Sequence, residues 1–319
     1  MALTWADLGG SIYANPELSK QAEQISAKQS RMLDLVTPGG PIALGKNHGD
    51  TVGTKIFGRI TTSATSALSE NAKVPMTTLP EYTVTATVYQ RGIAVPFTQL
   101  RQDLDRLDVE SPIINALRDH SSRTHNELIY NALVAGRSFC YVPLTSSTGN
   151  FTSNGTPSGT KASNLNGFHL RELRRRLQQY NVPGADGKNF IMVITPGEEA
   201  SILGDSATSG FVDVKKYTSS ADGLLNGEIG TYMGFRFTVD NDILPDNIGS
   251  GSVYGSAIVV GLDACREIVA SPMQLLSNMN LGGDFMRQKA IAWLSVLAYK
   301  TVWNYTSHGE GRVCHVTSA

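Results

Sequence analysis

Hydrophobic and polar positions change period several times along this chain, and each change marks an element. From Pro16 to Leu35 the apolar residues Leu18, Ala22, Ile25, Met32 and Leu35 recur at roughly helical spacing among Lys, Gln and Glu, and the TPGGP run at Thr37 to Pro41 ends the helix. Its apolar surface is too small for a core of its own, so it reads as an arm that lies against something else. Two strand-like runs follow. Thr51 to Thr62 places Val52, Ile56 and Ile60 on one face, and Tyr82 to Val95 alternates Val84, Ala86 and Val88 with Thr83, Thr85 and Thr87. They read as the legs of a hairpin. Their connection, TSATSALSENAKVPMTTLPE, has small polar side chains, no period, and a length uncommon inside a compact domain unless it is functional. An isolated two-stranded ribbon is marginal in water, so a neighbouring molecule is expected to complete this one.

Ser111 and Pro112 signal the start of a long helix that runs to about Ala135, where Gly136 closes it, a span of roughly 36 Å. Its middle, RDHSSRTHNE from Arg118 to Glu127, has no hydrophobic residue, whereas Ile113, Ile114 and Leu117 before it and Leu128, Ile129 and Leu133 after it are apolar. A helix of this pattern is buried at its two ends and lies across a surface. The Gly/Ser/Thr-rich stretch Thr145 to Ser163 reads as an exposed loop and an internal boundary. Beyond it come a helix at Leu165 to Tyr180 with Leu170, Leu173, Leu177 and Tyr180 on one stripe, a buried strand Phe190 to Thr195, and a short helix after Pro196. The stretch GEIGTYMGFRFTVDNDILP, Gly227 to Pro245, reads as a tight loop, a short strand and a turn, with glycines crowding the strand entrance. A strand at Ser256 to Gly261 follows. Phe285 to Tyr305, apolar on both faces and carrying Trp293, Tyr299 and Trp303, reads as a long central strand.

Composition narrows the function. With 319 residues and 41% hydrophobic content the chain can build a sizeable core. With 27 basic against 28 acidic residues, a net charge of −1 leaves no electrostatic footprint for gripping nucleic acid, so any DNA contact is expected to be weak and non-specific. Cys140, Cys265 and Cys314 are too few and scattered for a disulfide framework and suit a reducing compartment. The start, MALTWADLGGS, has neither the basic residues nor the apolar run of a signal peptide or membrane span. The sequons at Asn150, Asn154 and Asn304 carry no weight without a secretory signal.

Candidate chemistry is sparse. Gly204 to Thr208 resembles half a nucleophile elbow around Ser206 but lacks the second glycine and the leading strand. His120 and His125 lie five apart on a helix, about 140° around its axis, so they do not share a metal and are expected to be solvated. Cys314 and His315, near His308, sit in what reads as a fraying polar tail with no fourth ligand. Asp103, Asp105 and Asp108 lack the glycine and closing glutamate of a calcium loop and read as acidic residues leading into a helix N-terminus. Gly249, Gly251 and Gly255 precede a strand, the wrong context for a dinucleotide. The dense basic patch Arg171, Arg174, Arg175 and Arg176 is either a solvated helix face or an ion-pairing contact with another subunit. The expectation is no catalytic, cofactor or metal site.

What remains is a set of projecting parts: an arm, a long hairpin, a helix lying on a surface and a compact mixed domain. In this order, and in the stretches "VITPGEEASILGD" (Val193 to Asp205) and "GTYMGFRFTVDNDI", the chain resembles the major capsid proteins of tailed bacteriophages with the Hong Kong 97 type of shell fold. The resemblance implies an α+β fold. Its parts would be an N-terminal arm (1–49), an extended hairpin loop (50–96), a peripheral domain with the spine helix (97–164, the helix at about 111–135), an axial domain (165–275), and the peripheral return strand with a C-terminal tail (276–319). Gly230 and Gly234 would then permit a close turn in the domain that gathers around five- and six-fold axes.

The implied function is that of a major capsid protein, self-assembling as pentamers and hexamers into an icosahedral shell. That shell encloses the double-stranded DNA of a virion assembled in the host cytoplasm. Portal and scaffolding proteins and a decoration protein are the implied partners, with no membrane. Inter-subunit contacts are expected at Lys55, Arg59, Glu70, Lys73, Arg118, Arg123, Arg171, Arg174, Arg175, Gly230 and Gly234. The family's autocatalytic cross-link needs a loop lysine, for which Lys73 is the candidate, together with an asparagine and a glutamate that find no match here. Two other readings stand beside this one: an encapsulin-like cellular nanocompartment shell, and a soluble hydrolase using Ser206.

Overall fold

Alternating segments pair into three sheets, described over residues 32–41, 50–60, 67, 70, 73–105, 109–159, 163–204, 230–240, 257–278 and 287–317 of a computed structural model. In chain order the strands are β1 (Val36–Pro41), β2 (Thr51–Phe57), β3 (Glu81–Thr87), β4 (Tyr89–Thr98), β5 (Phe139–Thr145), β6 (Thr148–Thr152), β7 (Phe190–Ile194), β8 (Thr231–Tyr232), β9 (Phe235–Val239), β10 (Ala257–Val260), β11 (Cys265–Asn278), β12 (Gln288–Thr301) and β13 (Val313–Val316). The helices are α1 (Gln99–Leu104), α2 (Glu110–Ala135), α3 (Gly167–Gln179), α4 (Pro196–Leu203) and α5 (Tyr305–His308), and Met32–Leu35 form one 3-10 turn. One sheet has the order β1-β11-β12-β4, another β6-β5-β13-β10-β7-β9-β8, and β2-β3 stand as a pair.

The seven-stranded sheet is covered on both faces. On one, Leu170, Leu173 and Leu177 of α3 bury against Phe139, Tyr141, Met192, Phe235, Phe237, Val259 and Val316. On the other, Ile129, Tyr130 and Leu133 of α2 bury against Val193, Ile258, Val260 and Val313. The first half of α2 lies on the other large sheet, where Leu117 packs with Phe97, Ile291 and Trp293. One helix therefore ties two sheets together, as its apolar ends predict.

Its polar middle is not bare. Ser121 and Asn126 are buried, and both histidine rings flank Trp293, their centroids 5.9 Å from the indole. The Trp293 indole N–H donates to His120 Nδ1 at 3.2 Å, and His125 Nε2 lies 3.4 Å from Ser295 Oγ. Burial lowers the His125 pKa, against the nearby Glu267, which raises it. His120 stays exposed, as expected, while accepting from the indole; His125, also expected to be solvated, is half-buried against β12.

Several other expectations are corrected. TPGGP does not merely end a helix: Val36–Pro41 pairs in parallel with β11. The earlier part of the expected helix, Pro16 to Arg31, lies outside the described residues, as do Asp108, Ser206 and the glycines 249, 251 and 255. RQDLDRLD runs from α1 towards the start of α2 at Glu110, with Asp103 inside α1 and Asp105 capping the α1 C-terminus. The stretch from Thr145 to Ser163 contains β6, paired with β5 in a hairpin. The second leg of the long hairpin is two strands: β3 pairs with β2 from Thr51↔Thr87 to Phe57↔Glu81, whereas β4 pairs with β12. Cys314 and His315 are no fraying tail, since β13 is buried between β10 and β5. β5, β6 and β13 join the seven-stranded sheet, and β11 joins the other. β11 escaped notice because Pro272 and two register shifts interrupt its alternation.

Candidate functional site

The residues expected to make contacts fall into three separate surfaces. The first is the β2–β3 hairpin. The β-prone residues along β2 and the Thr-rich alternation of β3 give a ladder but only two well-buried side chains, Ile56 and Ala86. Lys55 reaches Glu81 across the ladder at 3.9 Å, both well exposed, an ion pair worth at most about 1 kcal/mol. Arg59, Glu70 and Lys73 are exposed. Sequence reasoning missed the apolar residues beside them: Val74 is 66% and Met76 92% exposed, and Phe57, Ile60 and Leu79 are exposed too. The signal was present in VPM and in Leu79, inside a segment read as uniformly polar.

The second surface is the solvent side of α2, where Arg118 and Arg123 are exposed. The third joins α3 to the β8–β9 turn. Asn166 caps α3 by accepting from the His169 N–H, and the leucine stripe turns the arginines outward. Glu172 collects two of them, Arg175 at 2.6 Å and Arg176 at 3.0 Å, and these bonds hold its carboxyl below the usual glutamate range. Arg171 Nε donates to the Gly167 carbonyl at 3.4 Å. Arg174 lies against the turn: a Cβ on Gly234 would come within 2.6 Å of its guanidinium carbon.

That turn answers why glycines crowd this strand. Tyr232 pairs with Phe235, so Met233 and Gly234 form a two-residue loop with φ of 51° and 83°. Two positive φ values define a type I′ turn, which favours glycine at its second position. Gly230, at φ 74°, accepts a bond from the Phe237 N–H just before the hairpin. The structure thus brings Arg174 and Gly234 together and leaves the hairpin and helix surfaces apart.

Among the described residues no group of three or more His, Cys, Asp and Glu side chains could hold a metal ion. The thiols are free and buried, and burial pushes Cys140 up to about 11 and Cys265 up to about 12. Such thiols are poor nucleophiles. No described helix is long and apolar enough to cross a membrane. The three surfaces carry exposed charged and apolar side chains.

Comparison with known proteins agrees. The sequence profile of the phage capsid protein family matches residues 44–258, and the chain belongs to that family. No curated protein matches the sequence. Similar solved structures include the capsid of cyanophage P-SCSP1u, at 11% identity over 96% of this chain and 93% of that one with a TM-score of 0.67. The cyanophage Pam1 capsid asymmetric unit is 16% identical over 100% and 98% of the two chains, TM-score 0.67. The capsid of the Helicobacter pylori phage KHP30 is 11% identical over 99% of each chain, TM-score 0.63. The fold is the Hong Kong 97-like α+β capsid fold, and nothing favours the nanocompartment reading or the hydrolase.

Proposed function

We propose that this chain is the major capsid protein of a tailed bacteriophage, a structural subunit without catalytic activity. Copies assemble as pentamers and hexamers into the icosahedral shell around double-stranded DNA. The seven-stranded sheet with α3 serves as the axial domain, the four-stranded sheet with α2 as the peripheral domain, and β2–β3 as the extended loop. Assembly takes place in the host cytoplasm with portal and scaffolding proteins, and a decoration protein is a further partner. The packaged DNA is retained by enclosure, since a near-neutral chain neutralises few phosphates.

One observation carries the reading: large apolar residues stand exposed at the hairpin and on α1. Leu100 and Leu104 of α1 are exposed at the Gln288 end of β12, where Thr98 pairs with Gln288. The loop-side end of the hairpin ladder lies beside Trp303 and His308, past the other end. The 14 residues of β12 hold these ends about 43 Å apart. Such patches are satisfied between copies, and a contact joining different surfaces propagates into rings.

Electron microscopy of the purified protein tests this directly. Closed shells of uniform size are expected, and a preparation that stays monomeric under all assembly conditions overturns it. The shell is further proposed to be non-covalent. Particles boiled in detergent without reductant should run as one monomer band, and a ladder that vanishes in Lys73→Ala would show a cross-link instead.

A further inference from the structure

The hairpin meets the body of the chain around a cavity of about 360 Å³. One wall is the loop-side end of the hairpin ladder, Ile56 to Arg59 with Pro80 and Tyr82, and the other is Trp303 with His308, Gly309 and Glu310. One aromatic contact links the walls: the rings of Tyr82 and His308 lie 4.8 Å apart, tilted by 48°. Both partners are held from behind. Tyr82 is set in the ladder opposite Ile56, and a Cβ on Gly58 would come within 3.0 Å of its ring, so the hairpin's own closure fixes it. His308 ends α5, whose start is capped by Asn304 accepting from the Ser307 N–H and whose end turns at Gly309 with φ 72°.

The histidine is held without a polar partner at its inner nitrogen: Nδ1 is buried and unbonded among the described residues. The charged groups facing the cavity do not favour a second cation there. Arg59 faces it from the hairpin, Lys55 and Glu81 pair with each other across the ladder, and Glu310 is committed to Arg312 at 2.9 Å. Arg312 in turn stacks on Trp303, 3.6 Å from the ring centre. The seat is therefore built for a neutral imidazole.

We propose that the Tyr82–His308 contact is a proton-sensitive latch that holds the hairpin against the body and releases it into the adjoining cavity when His308 takes up a proton. Burial lowers the His308 pKa from its ordinary 6.5. The latched state therefore binds the proton less readily than the released one. The latch is fully closed above the free-histidine value and opens as pH falls below it. The hairpin would then change its angle without unfolding, since its ladder is independent of the contact.

The latch is a property of the single chain, so it can fail while the shell reading stands. The three native cysteines are buried, so a spin label on Thr83→Cys, at an exposed position of β3, reports the hairpin alone. In the full chain the label should be immobile at pH 7.5 and become several-fold more mobile by pH 5, with a midpoint below 6.5. Adding His308→Gln, which cannot protonate, should leave it immobile at both values. Adding Tyr82→Leu should leave it mobile at both. A label whose mobility is the same at pH 7.5 and 5, an unchanged profile with His308→Gln, or an immobile label at pH 7.5 with Tyr82→Leu each overturns the proposal.

Discussion

The seven-stranded sheet and the β2–β3 hairpin are built from similarly β-prone residues, yet one closes its core within the chain and the other does not. The sheet places Phe139, Tyr141, Phe235 and Phe237 in full burial, and the rings of Phe139, Phe151, Tyr180 and Tyr305 lie 5.0 to 5.5 Å apart across four elements. The hairpin leaves Phe57, Val74 and Met76 outward and touches the body at the Tyr82–His308 rings and where β3 meets β12. Stability is thus concentrated where the subunit must survive alone. Uncovered apolar surface is concentrated at the hairpin, the part proposed above to meet another copy.

The difference can be broken most strongly from the core side. Phe235→Ala should cost about 3–5 kcal/mol in denaturant unfolding of the free subunit, because the ring is fully enclosed. Met76→Ala should shift the same curve by less than about 0.5 kcal/mol.

Acid should weaken the sheet next. The His315 pKa is pushed down to about 3 by burial, with the Arg137 guanidinium adding to it, and neither ring nitrogen has a partner among the described residues. The unfolded chain takes up this proton near 6.5 and the folded chain does not. The neutral ring's contribution is therefore complete above 6.5 and falls as pH drops towards 3. The loss should reach about 2–3 kcal/mol at pH 4.5. His315→Leu should flatten this dependence; an equally steep loss in the variant would place the acid sensitivity elsewhere.

Gly234→Ala should have a smaller effect, about 1–2 kcal/mol, through the left-handed φ and displacement of Arg174. A thermal melt compared with Gly187→Ala, also left-handed at φ 77° but with nothing near its Cβ, separates the two causes.

The comparison is sharpest where the change in stability is least. Deleting Ser63 to Leu79 should move the subunit's unfolding by within about 1 kcal/mol, since only a loop is shortened. Closed shells should nonetheless disappear from electron micrographs; normal shells from the deletion would remove the hairpin from the assembly surface.

Local pattern sufficed wherever neighbours in sequence do the work. The stripe Leu170, Leu173 and Leu177 gave α3, Pro196 gave the start of α4, and the signals at Ser111 and Gly136 gave α2, although its N-cap is Val109 rather than Ser111. The candidate site was legible in part. Gly230 and Gly234 announced a turn through their freedom at positive φ, and the outward arginines of α3 followed from the leucines behind them. Met76 and Val74 were not seen, because a few apolar residues in a polar loop have no period to betray them.

The sequence by itself determined the kinds and order of elements, the near-neutral charge, and the resemblance that their order carries. Tertiary structure alone decided which sheet each strand joins. β3 and β4 are one run in sequence but part at Val88, whose N–H is taken by the Asp50 carbonyl, and the two strands enter different sheets. Cys314 and His315 read as a tail until β5 and β10 provide ladders on both sides. His125 reads as solvated until Trp293, more than 160 residues away, is brought beneath it. The physical reason is the same in each case: propensity and period are set within a few residues, whereas burial and pairing depend on partners that only the folded chain brings together.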